Sequence, residues 1–169
     1  MKECVKKEIE KIIKRYGLNC SIEKFKDKVY WSHLSCDETL SEDFIREFQD
    51  EVDLYMIISR QKLSEDFLRE FKDKIDWNRI SAKQQLSEDF IREFKDKVNW
   101  ENISKYQELS LDFIREFKDK VHWFNISFYQ ELSLEFIREF EKKLDLDLVW
   151  KYQKCVKDFV FPIKEKNEV

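Results

Sequence analysis

The sequence predicts an all-α fold, an α-solenoid of short helix-turn-helix repeats with a period of 23 residues, capped by an N-terminal amphipathic helix. Three observations predict it. Leu-Ser pairs begin at Leu40, Leu63, Leu86, Leu109 and Leu132, a constant step of 23, and the same step carries Phe25 to Phe48, Phe71, Phe94, Phe117 and Phe140. Within each step the apolar residues follow the spacing of a helix face. The 169 residues include one Gly and one Pro, too few for a sheet protein with many tight turns.

The elements follow in order. Val5, Ile9, Ile12, Ile13 and Tyr16 mark an amphipathic N-terminal helix, and Gly17 is its expected terminator. Residues 21–28 read as a degraded first helix of a repeat (helix A), and 31–38 as its second (helix B). The repeat starting at Leu86 shows the full design. Ser87 is placed to cap, and Glu88 and Asp89 oppose the helix dipole in the first turn. Phe90, Ile91, Phe94 and Val98 then share one face of a helix A expected to run about ten residues, with Arg92, Glu93 and Asp96 opposite.

Asn99 opens helix B, and Asp53, Asp76, His122 and Asp145 fill the same slot in the other repeats. Trp100, Ile103, Ser104 and Gln107 follow on one face. Trp100 recurs as Trp31, Leu54, Trp77, Trp123 and Leu146. Helices this short are unstable alone and need neighbours to bury their faces. At the C-terminal end, KCVKDFVFPI aligns with the start of a sixth helix A that Pro162 ends or redirects. The expected organisation is one repeat domain, with a cap over 1–17, repeats over 18–161 and a tail over 162–169.

Composition narrows the function classes. Hydrophobic residues make up 42% and aromatics 15%, enough to build a core, while the 40% charged residues mix both signs as solvated helix faces do. A net charge of −4 argues against binding a phosphate backbone broadly. No segment has the apolar length of a membrane span. MKECVKKEIEKIIKRYG is charged throughout and lacks the apolar core of a signal peptide, so the expected location is the cytoplasm, with no membrane partner. Cys4, Cys20, Cys36 and Cys155 fall outside the recurring pattern, which argues against a disulfide framework.

The phrases LSEDFIREFKDKVNW and ISKYQELS resemble short helical repeats in uncharacterised proteins of large DNA viruses, including viruses of amoebae. The likeness covers about residues 21–161. It implies an α-helical repeat array, and the host-cell cytoplasm if the chain is viral. It implies no activity and no catalytic residue. Leu54 and Leu146, in place of Trp, depart from its pattern.

The recurring side chains read as construction. The Phe, Ile, Val and Trp rows are expected in the core. Arg46, Arg69, Arg92, Arg115 and Arg138 each follow a carboxylate by three residues, which suits local helix support better than anion binding. Gln61, Gln84, Gln107, Gln130 and Gln153 are expected to satisfy backbone groups between repeats. Ser81, Ser104 and Ser127 permit close helix approach, and no His–Asp arrangement supports a nucleophile.

Cys20, His33 and Cys36 form an incomplete zinc set, so no metal is expected. His122 reads as a cap-slot substitution rather than a base. No phosphate-binding glycine loop exists, and neither an enzyme nor a cofactor is expected. Asn19, Asn102 and Asn125 lie in N-x-Ser triplets that are expected to stay unmodified.

The positions that vary between repeats carry the functional expectation. On helix B they include Tyr55, Met56, Asn78 and Arg79, and then a run of aromatics. A fixed scaffold with a varied exterior is how repeat proteins build recognition surfaces. The expected partner-binding residues are Tyr106, Phe124, Phe128, Tyr129 and Tyr152, acting on a protein partner of unknown identity. Leu111 and Leu134, where Glu42, Glu65 and Glu88 stand earlier, make self-association the alternative. Nucleic-acid binding by a helical repeat is a third reading, which the acidic balance disfavours.

Overall fold

The computed structural model describes residues 1–153. The predicted sixth helix A, Pro162 and the tail lie outside the described residues. These hold thirteen helices and no strand: α1 (Glu3–Tyr16), a 3-10 helix η1 (Ile22–Asp27), α2 (Trp31–Asp37), α3 (Glu42–Glu47), α4 (Leu54–Arg60), α5 (Glu65–Glu70), α6 (Trp77–Lys83), α7 (Glu88–Glu93), α8 (Trp100–Tyr106), α9 (Leu111–Glu116), α10 (Trp123–Tyr129), α11 (Leu134–Glu139) and α12 (Leu146–Tyr152). The chain forms two compact bodies, Met1–Arg79 and the part from Ile80 onward, and the division falls inside α6.

In the N-terminal body, α1 packs on η1 and α3, and α2 packs on α4. Val5, Ile9 and Ile12 form the buried face of α1, while Tyr16 stays exposed. Gly17 adopts φ +61°, the left-handed turn that glycine enters without steric cost, and the Leu18 N–H returns to the Ile13 carbonyl at 2.9 Å. Glu8 of α1 accepts the Ser41 N–H at 2.9 Å. Glu42 does the same for Ser64 at 2.6 Å, so α1 substitutes for a preceding helix A. In the C-terminal body α10 packs between α8 and α12.

Helix A is shorter than its apolar spacing predicts. The α7 helix stops at Glu93, and the Phe94 carbonyl then accepts both the Lys97 N–H (2.9 Å) and the Val98 N–H (3.1 Å). This turn still delivers Phe94 and Val98 to the core, so burial survives although the helix does not. Serine caps every regular helix A: the side chains of Ser41, Ser64, Ser87, Ser110 and Ser133 accept the N–H three residues on at 3.1–3.2 Å.

Each body buries its own set of aromatic rings, Phe25, Phe44 and Phe67 in the first and Phe90, Phe113 and Phe136 in the second. All are fully buried, and each such side chain contributes about 1.5–3 kcal/mol. Trp31, Trp77, Trp100 and Trp123 are half-buried rather than enclosed. Each lies across the end of its helix A and donates its indole N–H to a carbonyl five residues back, as Trp100 does to Lys95 at 2.9 Å. The indole needs a partner for that donor, and the turn after helix A supplies one at the body's edge.

Candidate partner-binding surface

Three polar ladders join consecutive repeats and occupy most of the recurring polar side chains. Gln107 is buried; its Nε2 donates to the Ser81 carbonyl (2.9 Å) and the Gln84 carbonyl (2.8 Å), while its Oε1 accepts the Leu86 N–H at 2.9 Å. Gln130 and Gln153 repeat the arrangement one and two steps on. Gln61 clasps both backbone groups of Leu40. The glutamine row therefore satisfies backbone groups of the preceding repeat, as its recurrence suggests.

The serines form the second ladder. Ser104 donates its hydroxyl to the Trp100 carbonyl at 2.7 Å and accepts the His122 N–H of the next repeat at 2.9 Å. Ser127 does the same with Trp123 and Asp145. The small side chain thus supplies a specific acceptor as well as close approach.

Arginines form the third. Besides their local carboxylates, Arg46, Arg92 and Arg115 reach Glu70, Glu116 and Glu139 of the following repeat at 2.6, 2.8 and 2.8 Å. The same guanidinium groups lie over Phe67, Phe113 and Phe136, 5.0–5.2 Å from the ring centroids. The hydrogen bonds that Arg46, Arg92 and Arg115 donate to these glutamates hold them above the usual arginine range. The cross-repeat pairing was missed by local spacing. Its signal is the Glu row that stands 24 residues after the Arg row.

The minor candidates resolve differently. His122 occupies the N-cap slot of α10 but makes no cap bond, whereas Asp53, Asp76, Asn99 and Asp145 each accept a helix N–H. Cys20 and Cys36 are half-buried, and among the described residues no group of three His, Cys, Asp or Glu is arranged to hold a metal. Asn125 is buried and donates to the Glu101 carbonyl at 3.0 Å, a placement closed to modification in the folded chain. Arg79 lies over the Tyr55 ring and bonds to Ser59, while Tyr55 stays 51% exposed.

The other varied residues meet on one edge of the C-terminal body. Tyr106, Tyr129 and Tyr152 end α8, α10 and α12, and are 53%, 45% and 43% exposed. Between them sit the side chains of the preceding slot. Lys105 Nζ lies 4.9 Å from the Tyr106 ring centre and 5.4 Å from that of Tyr129. The Phe128 ring lies 4.5 Å from Tyr129 and 4.4 Å from Tyr152. Lys151 Nζ follows at 5.2 Å from Tyr152. The hydrogen bond to Tyr106 holds the Lys105 ammonium above the usual lysine range. The result is a continuous stripe in the order Tyr106, Lys105, Tyr129, Phe128, Tyr152 and Lys151, held by cation–ring and ring–ring contacts.

Phe124 stands one turn before Phe128 on the same face of α10, 52% exposed, with its ring edge-on to His122 at 6.4 Å. It extends the patch away from the tyrosine stripe rather than joining it. Sequence reasoning named the five aromatics but missed Lys105 and Lys151, whose position in the slot before Tyr106 and Tyr152 was the available signal. It also missed Trp150, 55% exposed beside Leu134.

No helix among the described residues is long and apolar enough to cross a membrane. The chain matches no protein-family model, and neither a curated protein nor a solved structure is significantly similar to it.

Proposed function

We propose that this chain is a helical-repeat scaffold, an α-solenoid rather than an enzyme, that binds a protein partner in the cytoplasm through the varied helix B surface. One observation carries the reading. The recurring Gln, Ser and Arg side chains are occupied in joining repeats, while Tyr106, Tyr129 and Tyr152 stay about half exposed over three consecutive repeats. Packing does not require them there, because Arg60 and Lys83 fill the same slot earlier in the chain. Exposed aromatics clustered on a rigid edge are the usual anchors of protein interfaces.

The test is affinity capture from the native host with the wild-type chain and a Phe124→Ser/Phe128→Ser variant. The variant loses the partner while its circular dichroism is unchanged. Retained capture contradicts the assignment of the site.

Self-association is the second reading, favoured by Leu111 and Leu134 in the slot held earlier by Glu42, Glu65 and Glu88, and by the exposed Trp150. Light scattering over a concentration series separates it from the first. A mass that grows with concentration, and falls back in Leu111→Glu/Leu134→Glu, supports self-association.

A further inference from the structure

The tyrosine stripe borders a groove of about 460 Å³, lined by Lys105, Tyr106, Glu108, Tyr129 and Glu131 among others. Its charged lining is one cation and two carboxylates. Lys105 is engaged with the tyrosine rings, whereas Glu108 and Glu131 are exposed and form no ion pair with another described residue. These glutamates are one repeat apart, and the same slot holds Lys62 and Gln85 in the earlier repeats. Carboxylates therefore accompany the first two tyrosines, Tyr106 and Tyr129, whereas Lys154 takes the corresponding slot after Tyr152.

We propose that this groove binds an extended, basic, proline-bearing segment of a partner protein, with proline rings on the tyrosine faces and arginines or lysines on Glu108 and Glu131. The inference rests on the binding reading above and specifies the partner's chemistry. Packed helices lie about 8–10 Å apart. A polyproline II chain advances about 9 Å in three residues, so a proline at every third position meets one tyrosine per repeat. Flat aromatic faces suit proline rings, and the preformed extended chain loses little entropy on docking. The carboxylate pair selects a basic peptide and repels a phosphate backbone, although stacked rings alone would also accept bases.

Fluorescence anisotropy on the full chain tests this with four labelled probes: a peptide of about twelve residues repeating Pro-Pro-Arg, its Gly-Ser-Arg and Pro-Pro-Glu counterparts, and an oligouridine. The Pro-Pro-Arg peptide binds, and the other three bind about tenfold more weakly or not at all. Tyr129→Ser and Glu108→Lys/Glu131→Lys each weaken the Pro-Pro-Arg peptide by about tenfold with unchanged melting curves. Equal binding of Gly-Ser-Arg, tighter binding of oligouridine, indifference to either variant, or no binding of Pro-Pro-Arg overturns the proposal. A partner lost from the Phe124→Ser/Phe128→Ser variant, together with no Pro-Pro-Arg binding, overturns this inference alone. Peptide binding with retained capture overturns the Phe124 and Phe128 assignment alone.

Discussion

The side chain of Gln107 holds the backbone of Leu86, its Oε1 accepting the Leu86 N–H at 2.9 Å across 21 residues of sequence. Leu86 opens the loop into helix A of its own repeat, so its N–H has no ladder or helix partner. A buried donor left alone costs about 1–3 kcal/mol. The glutamine two helices later removes that cost, and its Nε2 does the same for the carbonyls of Ser81 and Gln84. The repeat is thereby closed by its successor, and its polar loop can be buried.

The serine ladder predicts a local change in dynamics. Ser104→Ala removes the acceptor of the His122 N–H, which sits at the start of α10. Hydrogen exchange at the His122 amide should accelerate markedly, with a global loss of about 1–3 kcal/mol in denaturant. An unchanged exchange rate at that amide would show that the Ser104 hydroxyl is not its partner.

His122 is a poor cap, and the other repeats show the remedy. His122→Asp supplies the carboxylate that Asp53 and Asp145 use in the same slot. It should stabilise the chain by about 0.5–1 kcal/mol, visible as a higher melting temperature. A lower melting temperature would mean that the imidazole has a packing role, with its contact to Phe124 the first suspect.

The aromatic rows should differ in cost. Phe113 is fully buried, so Phe113→Ala should lose about 3–5 kcal/mol. Trp100 is half-buried and should lose less on truncation to Ala, because part of its ring already meets water. Urea titrations of the two variants make the comparison, and an equal or larger loss at Trp100 would reverse the ranking.

Two carboxylates predict an acid dependence. The hydrogen bond from Lys2 holds Asp43 below the ordinary aspartate range, and that from Lys120 does the same for Asp96. A pKa lower in the folded than in the unfolded chain means stabilisation that is present at neutral pH. It is lost as the pH falls through the folded value, below about pH 4. Carboxyl NMR titration should show Asp43 moving up in Lys2→Met and Asp96 moving up in Lys120→Met. Unmoved titrations would show that neither lysine is the cause.

Much of the construction was legible because the chain writes it repeatedly. The 23-residue step located the helices, the serine caps and the role of the glutamine row, since a polar residue recurring on an apolar face must answer a backbone need. Periodicity could not show where helix A ends. Phe94 and Val98 keep the spacing of a helix face although a turn carries them, and burial alone cannot distinguish the two. It also missed the reach of Arg92 to Glu116, because a cross-repeat pair depends on packing rather than on local spacing. At the surface, the varied aromatics were visible one by one. Their union into a stripe required knowing that Lys105 and Phe128 point between neighbouring tyrosines.

Tyr106 and Gln107 are neighbours in sequence and opposite in role, so one paired measurement tests the account most directly. Chemical denaturation of Tyr106→Ala and Gln107→Leu should be run side by side. Tyr106→Ala should change stability by less than about 0.5 kcal/mol, as an exposed position does. Gln107→Leu keeps the volume but abandons three buried hydrogen bonds, and should lose about 2 kcal/mol or more. Equal losses, or a larger loss at Tyr106, would contradict the division between the residues that build the fold and those left for a partner.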